Sequence, residues 1–180
     1  MNIALRLLLA LTVVVAVAAC KTTEPVSDAP DETSTVTEPT DTTPDVVTSA
    51  AVDPRDYSDA RNFDNSESLL SKRVIYFDFD KSNVKSEYRN IVAAHAAYMA
   101  SHSSARVTLE GHADERGTRE YNLGLGERRG NAITGLLSAG GATGNQQDVV
   151  SYGEERPVCR VSNEDCWWQN RRVEIVYTAR

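Results

Sequence analysis

Residues Val107 to Arg129 read VTLEGHADERGTREYNLGLGERR, and this stretch decides the fold. Val107 to Glu110 alternates apolar and polar in a β-rich run that stops at Gly111, which predicts a strand. The loop Gly111-His112-Ala113-Asp114-Glu115-Arg116-Gly117 is bounded by glycines, which permit tight turning. A helix then runs from about Arg119 to Ser138 and stops at Gly140-Gly141. Upstream, Val74 to Phe79 alternates as a strand. From Lys81-Ser82-Asn83 a helix is expected, with Val84, Tyr88, Ile91, Val92, His95 and Met99 at helical spacing. Downstream, Asp148 to Tyr152 and Arg172 to Thr178 read as strands. Strands alternating with helices predict an α+β domain, a βαβαβ-type mixed sheet of about four strands with helices packed on it.

Placed on a wheel, the second helix carries an anomaly. Leu125, Ala132, Ile133, Leu136 and Leu137 share one side, and Arg129 falls at about the centre of that apolar face, with Arg128 about 100° away. A guanidinium directed at a core is costly unless its charge is answered. Either Arg129 makes an ion pair inside the protein, or it waits in a groove for an anionic ligand group. Asp114 has matching alternatives. It can salt-bridge Arg129, or it can hold a cation while Arg129 holds an anion, an arrangement that suits a zwitterion.

The chain has three parts by composition. Arg6, the apolar run Leu7 to Ala19 and the small residues before Cys20 have the form of a secretory signal peptide, here residues 1–19. Val17-Ala18-Ala19-Cys20 resembles a bacterial lipobox, so Cys20 is expected to carry an N-acylated diacylglycerol anchor, and Lys21 after it points to the outer membrane. Residues 20–64 are expected to form an acidic Thr/Pro-rich disordered tether. Between Lys21 and Asn65 the net charge is −8, whereas Ser66 to Arg180 is neutral, with 15 residues of each sign. The acidity belongs to the tail, and a neutral domain speaks against nucleic acid as a partner. Some forty residues of flexible chain span roughly 35 Å. The remaining segment, 65–180, is long enough for one domain. In an oxidising compartment Cys159 and Cys166 are expected to pair, closing a loop that stabilises by roughly 2–2.5 kcal/mol. Six residues separate them and no second ligand pair lies nearby, so a metal site is not expected.

At this point the residues reach a family. Ile75-Tyr76-Phe77-Asp78-Phe79-Asp80-Lys81, the run Val107 to Arg129, Ser151-Tyr152-Gly153-Glu154-Glu155-Arg156-Pro157 and Asn170-Arg171-Arg172 resemble the OmpA-like domain family over about residues 69–178. The lipobox and tether match its lipoprotein members. The resemblance implies a non-catalytic domain that binds peptidoglycan through meso-diaminopimelate, with Asp114 and Arg129 clamping the ammonium and carboxylate. It implies lesser contacts from Phe79, Asp80, Arg116 and Leu125. It also implies an outer-membrane protein, anchored by lipid and facing the periplasm, that works with TolB and the Tol system in envelope integrity and cell division. No cofactor is implied beyond the acyl anchor. Gly130, where the family usually has Ala, and the Cys159–Cys166 loop depart from the pattern, and neither is expected to touch the clamp.

Two other classes of function compete with this one. His112, Asp114 and Glu115 can be drawn as a metal or acid–base cluster, but one loop does not make a site, and His95 reads as a histidine at the edge of the core. An enzyme is therefore not expected. A protein-binding module on the same fold is the other class, and Trp167-Trp168 either cap the core or form a contact patch.

Overall fold

A computed structural model describes residues 51–180. The expected signal peptide, Cys20 and the expected tether up to residue 50 lie outside the described residues. The sheet is built around two central strands. β2 (Arg106–His112) and β4 (Arg172–Ala179) run antiparallel with Leu109 opposite Ile175. β1 (Val74–Tyr76) pairs antiparallel to the outer side of β4, and β3 (Gln147–Gly153) pairs parallel to β2, giving the order β1-β4-β2-β3. Parallel neighbours need a crossover connection. Here it contains α2 (Arg119–Ala139), which lies against β2 and β3, with α1 (Arg89–Ser101) beside it. Alternation along the strands sends Ile75, Val107, Leu109, Val173 and Ile175 into a core shared with Val92, Met99, Ile133 and Leu137. The expected α+β architecture is the observed one.

α2 approaches the sheet closely at two glycines one turn apart, Gly126 and Gly130. A methyl group on Gly126 would stand 2.3 Å from Ser151 Oγ and 2.9 Å from the Gly111 carbonyl oxygen, and one on Gly130 would stand 2.5 Å from a Val149 methyl. Gly130 is thus a close-packing residue, and its cost in helix propensity is offset by that approach.

Local differences from the sequence reading have physical causes. β1 ends at Tyr76 rather than Phe79, because Asp78 to Lys81 form a turn in which Asp80 takes the left-handed conformation, φ 55°. The first helix does not open at Lys81-Ser82-Asn83. Residues 86–88 are a 3₁₀ turn and α1 begins at Arg89. The carbonyls of Asp78 and Lys81 are committed to Arg129, and the Asp78 carboxylate to Lys85 at 2.8 Å, so this segment serves the loop instead of a helix.

The folded unit also starts earlier than residue 65. Asp59 caps a 3₁₀ turn, Ala60–Phe63, and Phe63 is 2% exposed, edge-on to Tyr98 and Tyr177 at 4.7 and 4.6 Å between ring centres. Asn62 is buried and donates to the carbonyls of Asp53 and Asp56. Residues 53–64, assigned to the tether from composition, belong to the domain.

Candidate functional site

The loop after β2 is shaped for Asp114. Ala113 N–H bonds to the Gly153 carbonyl, Gly117 adopts φ 111°, and the Thr118 hydroxyl caps α2 by accepting from Tyr121 N–H. Asp114, 4% exposed, is held between them. One of its oxygens accepts from the Arg116 backbone N–H and Nε at 3.1 and 3.0 Å. The other accepts from Arg116 Nη2 at 2.6 Å and Arg171 Nη1 at 3.3 Å. Burial by itself would raise the Asp114 carboxyl. The hydrogen bonds from Arg116 and Arg171 outweigh it and hold the group below its ordinary value.

Arg129 lies where the wheel put it, at the centre of the buried face, and is 0% exposed. Its partners are not carboxylates. Nε donates to Lys81 O at 2.9 Å, Nη1 to His112 O at 2.6 Å and Nη2 to Asp78 O at 3.2 Å. Neither Asp114 nor any other carboxylate among the described residues comes within 4.0 Å of it, so the internal ion pair weighed from the sequence is not formed. Burial pulls its pKa down to about 10, which still leaves it charged at neutral pH. A guanidinium has five N–H donors, and the three carbonyl bonds leave two.

These groups meet at one cavity of about 200 Å³. Phe79, Asp80, Asp114, Arg116, Leu125 and Arg129 all line it, together with Ala113, Gly117, Tyr121 and Asn122. All six residues singled out from the sequence are therefore neighbours. Phe79 and Leu125 supply apolar wall, Arg129 the buried cation, and Asp80, whose carboxylate accepts from the Tyr121 hydroxyl, stands at an exposed edge.

The sequence reading anticipated the disulfide and Arg116 but missed the loop residues that hold this arrangement. Cys159 and Cys166 form a disulfide, and the short helix α3 (Glu164–Asn170) within that region reaches the site. The Arg116 guanidinium lies over Phe79 and Trp167, 3.9 and 4.1 Å from the two ring centres. Glu164 pairs with Arg171 and lies 3.6 Å from Arg116. As expected, the loop does not touch Asp114 or Arg129 itself, but it contacts the two arginines that bind Asp114. Trp168, by contrast, packs edge-on to Tyr76. The Asn170-Arg171 pair was visible as a motif, but nothing local in it pointed to Asp114.

The acid–base cluster is not assembled. Glu115 accepts from Trp167 Nε1, Asp114 is engaged by arginines, and His112 is buried beside Tyr152, with Glu174 4.0 Å away. Among the described residues no three His, Cys, Asp or Glu side chains converge as metal ligands.

A four-stranded mixed sheet with a glycine-bounded loop feeding a long helix, and a buried arginine on that helix, defines a class. The model of the OmpA family matches residues 76–170, and the chain belongs to that family. Within it, the chain is similar to the peptidoglycan-associated lipoprotein of Pasteurella multocida, 45% identical over 104 residues, which are 58% of this chain and 69% of that one. The protein of the same name from Pseudomonas aeruginosa is 47% identical over 107 residues, covering 59% of this chain and 63% of the relative. The crystal structure of the peptidoglycan-associated lipoprotein from Burkholderia pseudomallei superposes with a TM-score of 0.63 at 41% identity, over 64% of this chain and 98% of that one.

Proposed function

We propose that this chain is an outer-membrane lipoprotein that binds peptidoglycan non-covalently and without catalysis, and so tethers the membrane to the wall. The observation that carries the reading is Arg129, a buried guanidinium with donors to spare and, among the described residues, no carboxylate partner, in the wall of a cavity that also contains two carboxylates. Such a site is completed by a ligand carboxylate, and a bidentate contact gives geometric selectivity. The ligand ammonium enters on the side of Asp80 and Asp114. Asp114 is already engaged by four donors, so it acts chiefly through its field, while among the described residues Asp80 has the Tyr121 hydroxyl alone to share. A ligand with an ammonium and a carboxylate on one carbon fits, and meso-diaminopimelate of the stem peptide is that group in the wall. Cys20 is the acylated anchor, and the acidic segment after it the tether that lets the domain reach the wall. By the likeness to peptidoglycan-associated lipoproteins, the chain acts with TolB in the Tol-Pal system, in envelope integrity and cell division.

The test is sedimentation with purified peptidoglycan of the diaminopimelate type and of the lysine type. Wild type is expected to bind the first and not the second. Arg129→Lys keeps the charge and loses the fork, and should weaken binding by about tenfold or more. Asp80→Asn should weaken it to a similar degree. Equal binding to both walls would remove diaminopimelate from the reading, and variants that bind as well as wild type would remove the site.

A further inference from the structure

The proposed function makes no use of the disulfide loop, yet this loop supplies one side of the arrangement around Asp114. Arg116 is 30% exposed at its side chain and would sample many rotamers if it stood alone. Its guanidinium instead lies over two rings, Phe79 from the cavity wall and Trp167 from α3. Arg171 is buried and, among the described residues, is answered by two carboxylates, Asp114 and, from α3, Glu164. The loop that presents Trp167 and Glu164 is closed twice. Cys159 and Cys166 are bonded, and Asn170 accepts from the N–H groups of Val158 and Cys159 while donating to the Cys159 carbonyl. Trp167 is further fixed by its indole N–H bond to Glu115 at 3.0 Å.

We infer that α3, locked by the Cys159–Cys166 bond, is a positioning element of the cavity: Trp167 and Glu164 hold Arg116 and Arg171, which hold Asp114, so ligand affinity depends on the loop. Trp167 and Glu164 do not line the cavity themselves, and they act through the two arginines. This inference rests on the peptidoglycan-binding reading, and its test is arranged to separate the two.

The full chain in detergent is compared with Trp167→Ala, Trp167→Phe, Arg116→Ala, the Trp167→Ala/Arg116→Ala double variant and the Cys159→Ser/Cys166→Ser double variant. Affinity for diaminopimelate-type peptidoglycan is measured well below each melting temperature, and the Asp114 carboxyl is titrated by NMR. Loss of one stacked ring should weaken binding by about fivefold, and Trp167→Phe should restore most of it. In the Arg116→Ala background, Trp167→Ala should add nothing, the mark of a residue acting through another. Trp167→Ala and the double serine variant should both let the Asp114 carboxyl drift up toward its ordinary value. Wild-type affinity in Trp167→Ala, or full additivity with Arg116→Ala, overturns the inference. A folded wild type that ignores the wall overturns the functional reading instead. The Asp114 titration then decides the positioning role by itself, and an unmoved carboxyl in Trp167→Ala refutes it.

Discussion

Arg129 and His95 are both polar residues at fully buried positions, and they are accommodated in different ways. Arg129 keeps its charge because three carbonyls from two loops point at it, and in doing so it ties the turn after β1 to the end of β2. Replacing it with Ala strips the donors from three carbonyls at once, so a stability loss of about 2–4 kcal/mol is expected, read from urea melts. For this reason Arg129→Lys is the cleaner binding probe. His95 stays neutral: Nε2 faces the Lys72 carbonyl at 3.0 Å and must carry the proton, and Nδ1 then accepts from the Tyr177 hydroxyl. Burial lowers the pKa of both His95 and His112 to about 4. Since the unfolded chain takes up these protons near pH 6.5 and the folded one does not, stability is full above pH 6.5 and falls as pH drops toward 4. Each histidine contributes at most about 2 kcal/mol of that loss by pH 5. His95→Gln retains an acceptor and a donor without a titrating proton, and should roughly halve the slope of melting temperature against pH in this window. An unchanged slope would show that His95 is not the group responsible. The position of Arg129 was legible because helical period alone places it. Its partners were not, since they are backbone carbonyls up to 51 residues away and carbonyls leave no trace in a sequence.

At the scale of elements, the long periodic ones were legible and the short ones were not. α2, with 21 residues, a Thr118 cap and a Gly140 stop, was found almost to the residue. α3 has seven residues and escapes the sequence reading, because about two turns carry too little pattern, and its N-cap Asn163 reads equally well as a loop residue. The start of α1 is misplaced by the pattern because Val84 does reach the core, at 8% exposure, but from irregular chain rather than a helix. Close packing was equally invisible: Gly130 looked like a lapse in helix propensity until its distance from Val149 was known. Gly130→Ala thus sets a propensity gain of about 1 kcal/mol against overpacking of about 1–3 kcal/mol onto a stiff β-branched side chain. The net should be destabilising by about 1 kcal/mol, and Gly130→Ala/Val149→Ala should recover the clash component in a double-mutant cycle. Were Gly130→Ala to stabilise the chain, α2 would sit farther from β3 than described here.

The largest misreading concerns the whole molecule, namely where the domain begins. Acidic charge runs on through Asn65, so charge alone does not separate residues 53–64 from the segment before them, although the Thr-rich run stops before Asp53 and Tyr57 and Phe63 are the first aromatics of the chain. What ties this segment to the domain is chiefly the second of them. Phe63 lies edge-on to Tyr98 and Tyr177, with the guanidinia of Arg73 and Arg180 5.2 and 4.5 Å from its ring centre, in a second small core that also contains Leu70, Ala94 and Ala105. Residues from the segment preceding β1, from α1 and from β4 meet at this ring, so its removal opens a cavity that no single element can close. A buried Phe truncated to Ala costs about 3–5 kcal/mol, and for a domain of this length each kcal/mol moves the melting temperature by about 3–5 °C. A chain starting at residue 51 is therefore expected to melt about 10–20 °C above one starting at residue 65. Phe63→Ala in the longer chain should reproduce most of the difference. Because this core lies apart from the cavity, wall binding measured well below the melting point should be the same in all three. Equal melting temperatures would return residues 53–64 to the tether. A loss of binding in the shorter chain, at temperatures where it is still folded, would mean that the segment before β1 also shapes the ligand site.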